Sequence, residues 1–195
     1  VLVAKNGKVV YQKSFGYITY DSSHLVVNTD LYDLASMTKI LSTNLGMMKL
    51  VEENKVSLNG HLHNYLPGIK SSNKKNIIIA DLLTHRAGLS PFIPFYKDIQ
   101  TVKDLETSVL STDSTGVFAI PVANHLFLNA NYMATMKQRI LKSEIKNRGK
   151  YVYSDLSFYF LKEVLEAQSK TPIDEFVSTH FYKKLGLNYL GYLPY

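Results

Sequence analysis

The chain has 195 residues, of which 46% are hydrophobic and 19% charged, and its formal net charge is +6. That is enough for one domain with a sizeable core, and the balance excludes a disordered chain. There are no cysteines, which removes disulfides, thiolate chemistry and cysteine-ligated metals, and no apolar run approaches the ~18 residues that span a membrane as a helix.

The chain opens on a predicted β-hairpin. Val1 to Ala4 is apolar, Asn6-Gly7 supplies a two-residue turn, and Lys8 to Phe15 resumes with Val9, Val10 and Tyr11. Asn-Gly tolerates the positive φ angles of a type I′ turn. Gly16 to Tyr20 reads as an extension of the second strand. Residues 36–53 read as a long helix, because Met37, Leu41, Leu45, Met48 and Val51 recur at three- and four-residue spacing. Ile40, Met47 and Leu50 widen the apolar surface, so the helix is expected to be buried on most sides. Residues 57–68 form a loop closed by Pro67-Gly68, and 71–76 is a polar connector. Ile77 to Leu83 begins a short helix stopped by Gly88 and Pro91. Residues 90–122 read as irregular. Residues 123–142 read as a helix, whole or broken near Asn129 and Asn131. Asp155 to Ala167 is a clear helix, and Pro172 to Tyr182 another, with Pro172 suited to a first turn. The predicted order is two strands, then mostly helix.

The positive charge has one concentration: Lys137, Arg139, Lys142, Lys146, Arg148 and Lys150, interrupted by Glu144. No zinc-finger spacing, aromatic RNA-binding motif or heptad-linked basic region accompanies it. It reads as a solvated face, and no nucleic-acid partner is expected.

Two short motifs carry chemistry. In Ser36-Met37-Thr38-Lys39, serine and lysine stand three apart near a helix start and project from one face. The helix dipole there favours negative charge on the attacking oxygen. The lysine can take the serine proton if burial lowers its pKa, or it can favour a neighbouring phenolate. A lysine in so apolar a helix needs a polar partner. Tyr153-Ser154-Asp155 lies directly before a helix. A tyrosine beside an ammonium loses its proton more readily and can act as a general base; the plainer reading is a strand-end tyrosine followed by an Asp N-cap.

Together with their surroundings, these residues resemble the serine β-lactamase and penicillin-binding-protein superfamily, in particular class C β-lactamases, DD-peptidases and related esterases. The S-x-x-K and Y-x-N pair is matched by Ser36 to Lys39 and Tyr153 to Asp155. Leu31 to Ala35 precedes the serine as the family's lead does, Tyr65-Leu66-Pro67 is similar to its Y-L-P, Leu82 to Leu89 to its L-L-T-H-T-S-G-L, and Leu185-Gly186-Leu187 to its P-L-G-M. There is also similarity to β-lactamase-like domains fused to glycoside hydrolases in some gut bacteria.

The resemblance implies an α+β fold with helices packed on an antiparallel sheet. It implies Ser36 as the acylated nucleophile, Tyr153 coupled to Lys39 as the proton relay, and the Ser36 N–H as half of an oxyanion hole. Asp155 stands where the family has Asn. An ionised Asp155 can pair with Lys39 but cannot donate a hydrogen bond to a substrate amide. His85 is expected to be a buried, hydrogen-bonded, structural histidine. His61 and His63 lack a carboxylate cluster that would make them metal ligands, and no cofactor is implied. The substrate would be a small molecule or peptidoglycan-like, and the location periplasmic or extracellular.

No Lys/His-Thr/Ser-Gly follows Asp155, and only two strands are predicted. The chain therefore reads as a single domain, 1–195, truncated at its C-terminal strands, with a missing segment or a second chain expected to complete the sheet. The start at Val1-Leu2-Val3, without methionine or charged leader, reads as a mature or excised segment. A catalytically inactive binding remnant is the competing reading.

Overall fold

The computed structural model describes residues 1–98 and 109–192. They group into two compact units, Val1–Ala35 and Ser36–Tyr195.

In the first unit, β1 (Leu2–Lys5) and β2 (Lys8–Gln12) pair antiparallel, with an irregularity at Val3/Ala4. Asn6 and Gly7 both have positive φ, 51° and 75°, as a type I′ turn requires. Residues 16–20 do not prolong β2 as expected. Gly16 turns the chain at φ 78°, and Tyr17 then forms a single antiparallel bridge with Leu25.

The second unit is built round one helix, α5 (Asp155–Ser169). Leu156, Phe160, Leu161, Val164 and Leu165 are buried, the spacing of a helix with one apolar side. Against it pack α1 (Leu45–Glu52), α2 (Leu62–Tyr65), α3 (Ile79–Leu83) and α6 (Ile173–Val177). The α1 backbone comes close to α5 at Gly46, where a Cβ would stand 2.2 Å from Leu165 Cδ1. Only glycine lets α1 and α5 meet so tightly without repacking.

The helix expected over 36–53 is present but not uniform. Lys39–Asn44 is a π-helical turn that runs directly into α1. Nor is it buried on most sides: Met47 and Leu50 are buried, while Met37, Ile40 and Met48 are each more than half exposed. The core side faces α5 and α6, and the opposite apolar side is open.

Two further expectations are corrected. The stretch 57–68 is not all loop, since it holds the single-turn α2 and leads into a 3-10 turn, Pro67–Ile69. The chain also has more strands than the two expected. A three-stranded antiparallel sheet lies where the sequence reads as irregular or helical, formed by β3 (Leu110–Ser111), β4 (Phe118–Ala123) and β5 (Leu126–Asn129) in the order β3-β5-β4. Part of the irregular stretch, 99–108, lies outside the described residues. Pro121 is tolerated because β4 is an edge strand, and His125 turns the hairpin with φ 50°. The predicted helix over 123–142 therefore starts only at Ala130, as α4 (Ala130–Lys142), with the Asn129 side chain accepting the Asn131 N–H as its N-cap.

The polar connector 71–76 carries a fully buried lysine. Lys74 Nζ donates to the carbonyls of Leu141 and Ser143, capping the C-terminal end of α4 with a cation. Burial pushes its pKa below the ordinary lysine value.

Candidate active site

Two chain segments converge at the start of the π-helical turn. Ser36 is exposed and precedes it; its carbonyl accepts the Lys39 N–H. Lys39 Nζ donates to Ser36 Oγ at 3.1 Å, which follows from their spacing of three residues on a helix. From the other end of the unit, α5 brings Asp155 to the same lysine, with Nζ and Oδ1 2.7 Å apart. This ion pair is the sole polar partner of Oδ1 among the described residues. Tyr153 completes the group, its phenol hydrogen-bonding with Ser36 and Lys39, and Lys39 Nζ lying 5.1 Å from its ring centre. The second ring beside the ammonium is Phe158, at 5.7 Å.

All four residues picked from the sequence thus stand together. Their charges follow from the arrangement. Burial works against the Lys39 ammonium, but Asp155 and Tyr153 outweigh it and hold its pKa above the ordinary 10.5. Lys39 is therefore a cation at neutral pH and keeps no lone pair to take the serine proton. The hydrogen bonds from Ser36 and Lys39 pull the Tyr153 phenol below its ordinary 10.0, against the opposing influence of burial and of Asp155. Of the two roles the sequence allowed the lysine, the electrostatics favour stabilising a phenolate.

Asp155 is the first residue of α5, and the N-cap position belongs to Ser154, not Asp155 as the sequence suggested. Ser154 does not cap through its side chain. Its Oγ donates to the Ser90 carbonyl at 2.6 Å, which leaves the Asp155 carboxylate free to face Lys39. A carboxylate in the first turn also suits the helix dipole.

Tyr153 is held by a strip that the motifs did not point to. The 85–91 stretch is stapled along 146–155. Lys146 N donates to Gly88 O, Gly149 N to Arg86 O, Val152 N to His85 O and Asp155 N to Pro91 O, each at 2.8–2.9 Å. Ser154 N donates to His85 Nδ1 at 3.0 Å. Gly88 has φ 76°, and a Cβ there would lie 2.7 Å from the Lys146 carbonyl and 3.0 Å from the Arg148 N, so no other residue fits without moving backbone. The His85 ring lies 4.5 Å from that of Tyr153 and 5.4 Å from that of Phe158. It is half-buried rather than buried.

The remaining singled-out groups lie elsewhere. His61 and His63 stack ring on ring at 5.6 Å, and His63 Nδ1 hydrogen-bonds to the Lys75 carbonyl. Among the described residues no group of three or more His, Cys, Asp or Glu could hold a metal. The basic cluster is largely neutralised in place: Lys137 pairs with Glu163, Lys146 with Glu144, Arg139 with Asp98 and Arg148 with Asp81. Among the described residues no helix is long and apolar enough to cross a membrane.

An α+β fold with a serine, lysine and tyrosine gathered at one helix start is the frame of β-lactamase-like and penicillin-binding proteins. Residues 1–192 match the Beta-lactamase family, and the chain belongs to it. A Salmonella gallinarum protein provisionally named a D-alanyl-D-alanine carboxypeptidase is 30% identical over the whole of this chain and 43% of its own length. Two solved structures share the fold. FmtA from Staphylococcus aureus is 22% identical, with TM-score 0.68, over 96% of this chain and 43% of that one. A class C β-lactamase from Rhodobacter sphaeroides is 19% identical, with TM-score 0.61, over 95% and 43%. The chain thus spans less than half the length of the curated relatives it matches.

Proposed function

We propose that this chain carries the nucleophile of a serine hydrolase working through an acyl-enzyme on a β-lactam, a D-amino-acid peptide or an ester. The observation that carries this reading is the meeting of Ser36 Oγ, Lys39 Nζ, the Tyr153 phenol and Asp155 from segments more than a hundred residues apart in sequence. Ser36 Oγ attacks the carbonyl carbon while its proton passes to the Tyr153 phenolate, which Lys39 stabilises as an ammonium. Tyr153 returns that proton to the leaving nitrogen or oxygen as the old acyl bond breaks. The Ser36 N–H, at a helix start, supplies one donor to the oxyanion. Water then releases the acyl group by the same route reversed. A cell-wall peptide or antibiotic substrate fits a periplasmic or extracellular site of action.

Incubation with a fluorescent penicillin, followed by intact-mass measurement, tests this. The expected result is one adduct per chain that Ser36→Ala abolishes. Turnover of a chromogenic cephalosporin by the 195-residue chain is expected to be slow, since no Lys/His-Thr/Ser-Gly follows Asp155 and one missing oxyanion donor costs ~2.7–4 kcal/mol of barrier. A folded chain whose Ser36 stays unmodified by penicillins, D-alanyl peptides and activated esters would instead be a non-catalytic binding domain. The Asp155 carboxylate, in the place of an amide donor, is the feature that favours that second reading.

A further inference from the structure

Among the described residues, His85 is the titratable side chain in ring contact with Tyr153 that the mechanism leaves unused. Its backbone has φ 56°, a left-handed conformation that strains a non-glycine residue and that glycine adopts freely. The side chain at this strained position makes two contacts that glycine could not: Nδ1 accepts the Ser154 N–H, and the ring packs against that of Tyr153 at a tilt of 36°. Both bear on the phenol, one by fixing the backbone next to it and one by fixing the plane of its ring.

We infer that His85, as a neutral imidazole, is the positioning residue that holds Tyr153 against Ser36 and Lys39, and that its protonation in acid releases the tyrosine and stops acylation. This rests on the acyl-enzyme reading above.

The Ser154 N–H can donate only to an Nδ1 that carries no proton, so the imidazole hydrogen sits on Nε2. A proton added at Nδ1 would set two donors face to face and break that bond. Of the charged groups round the ring, the Lys39 ammonium opposes it more than the Asp155 carboxylate favours it. Lys39 presents its ammonium from the π-helical turn, while Asp155 at the start of α5 is already engaged by that ammonium. Tyr153 and Tyr151 offer ring faces and edges, Phe158 is apolar, and Arg86 turns away to the Gly149 carbonyl. Burial first, and the Lys39 charge second, lower the imidazole pKa from 6.5. Between that lowered value and 6.5 the unfolded chain binds more protons than the folded one, so stability also rises with pH across this window.

The experiment uses the whole chain, with ¹⁵N-histidine and ¹³Cζ-tyrosine labels, and needs no variant for its first arm. In the wild type, the His85 nitrogens should report the Nε2–H tautomer and titrate below pH 6.5, and the Tyr153 carbon should shift at the same pH. A Tyr153 signal that ignores the His85 titration would overturn the inference. In the second arm, the penicillin labelling rate is followed against pH. His85→Phe keeps a ring but loses the acceptor and should label about tenfold more slowly or worse at pH 8. His85→Asn tolerates positive φ and offers an oxygen acceptor that does not titrate, so it should recover most of that rate and lose the acid limb. Equal rates in H85F and wild type, or an unchanged acid limb in H85N, would overturn it as well. If penicillin never labels Ser36, the acyl-enzyme reading falls, and the Tyr153 carbon shift still decides whether His85 governs the phenol.

Discussion

At the scale of single residues, Asp155 sets the working range of its neighbours. Its charge raises the pKa of Lys39 and, to a lesser degree, opposes ionisation of Tyr153. Asp155→Asn should therefore lower both. The phenolate would be populated at lower pH, so the alkaline rise in the labelling of Ser36 should move down the pH scale, with a several-fold faster rate near pH 7. A profile that moves up instead would mean the carboxylate takes part in the proton transfer. Much of this site is legible in the sequence, because Ser36 and Lys39 are tied by helical spacing and Tyr153-Ser154-Asp155 sits at a helix start. His85 was legible only as part of a segment, with no sign of its ring beside Tyr153. Contacts between residues 85 and 153 depend on how two loops lie together, which no local periodicity encodes. A histidine followed by a glycine three residues on, each needing positive φ, is the one trace of it.

At the scale of elements, the strip 85–91 against 146–155 is a backbone ladder outside any named strand, and at Gly88 it leaves no room for a Cβ. Gly88→Ala would strain a left-handed backbone and press a Cβ onto the Lys146 carbonyl. We expect a loss of about 1–3 kcal/mol in urea unfolding together with slower Ser36 labelling, because the ladder ends at Tyr153 and Asp155. Normal labelling in a destabilised Gly88→Ala would separate the ladder from the site. The helices were readable where apolar spacing is long and regular, as in α5. The sheet β3-β5-β4 was not. Its strands are two to six residues long, Pro121 argues against a strand unless it lies at an edge, and an Asn124-His125 turn carries none of the glycine that marks the hairpin at Asn6-Gly7.

At the scale of the whole molecule, the exposed apolar side chains stand out. Met37, Ile40 and Met48 lie open on the helix that follows the nucleophile, at 55%, 63% and 65% exposure. In the other unit β1 and β2 are exposed along their whole length. Exposed apolar patches of this kind mark sticky or interaction surfaces, and the chain accounts for 43% of the length of its Salmonella relative. The 195-residue chain should bind an apolar fluorescent dye in its folded state, and an Ile40→Gln/Met48→Gln double variant should bind less while melting at the same temperature or higher. Dye binding unchanged in that variant would place the sticky surface elsewhere.

The ladder beside Tyr153 also governs when the site can come into being. Its bonds join residues 58 to 69 positions apart along the chain, from Lys146 with Gly88 to Ser154 with His85. Closing a loop of that size costs entropy before any contact rewards it. The serine and lysine are one helical turn apart and take up their spacing as soon as that turn forms, whereas the tyrosine arrives only with this late closure. A refolding chain should thus pass through a period in which Ser36 and Lys39 are side by side without their base, and penicillin reactivity should return more slowly than helical circular dichroism.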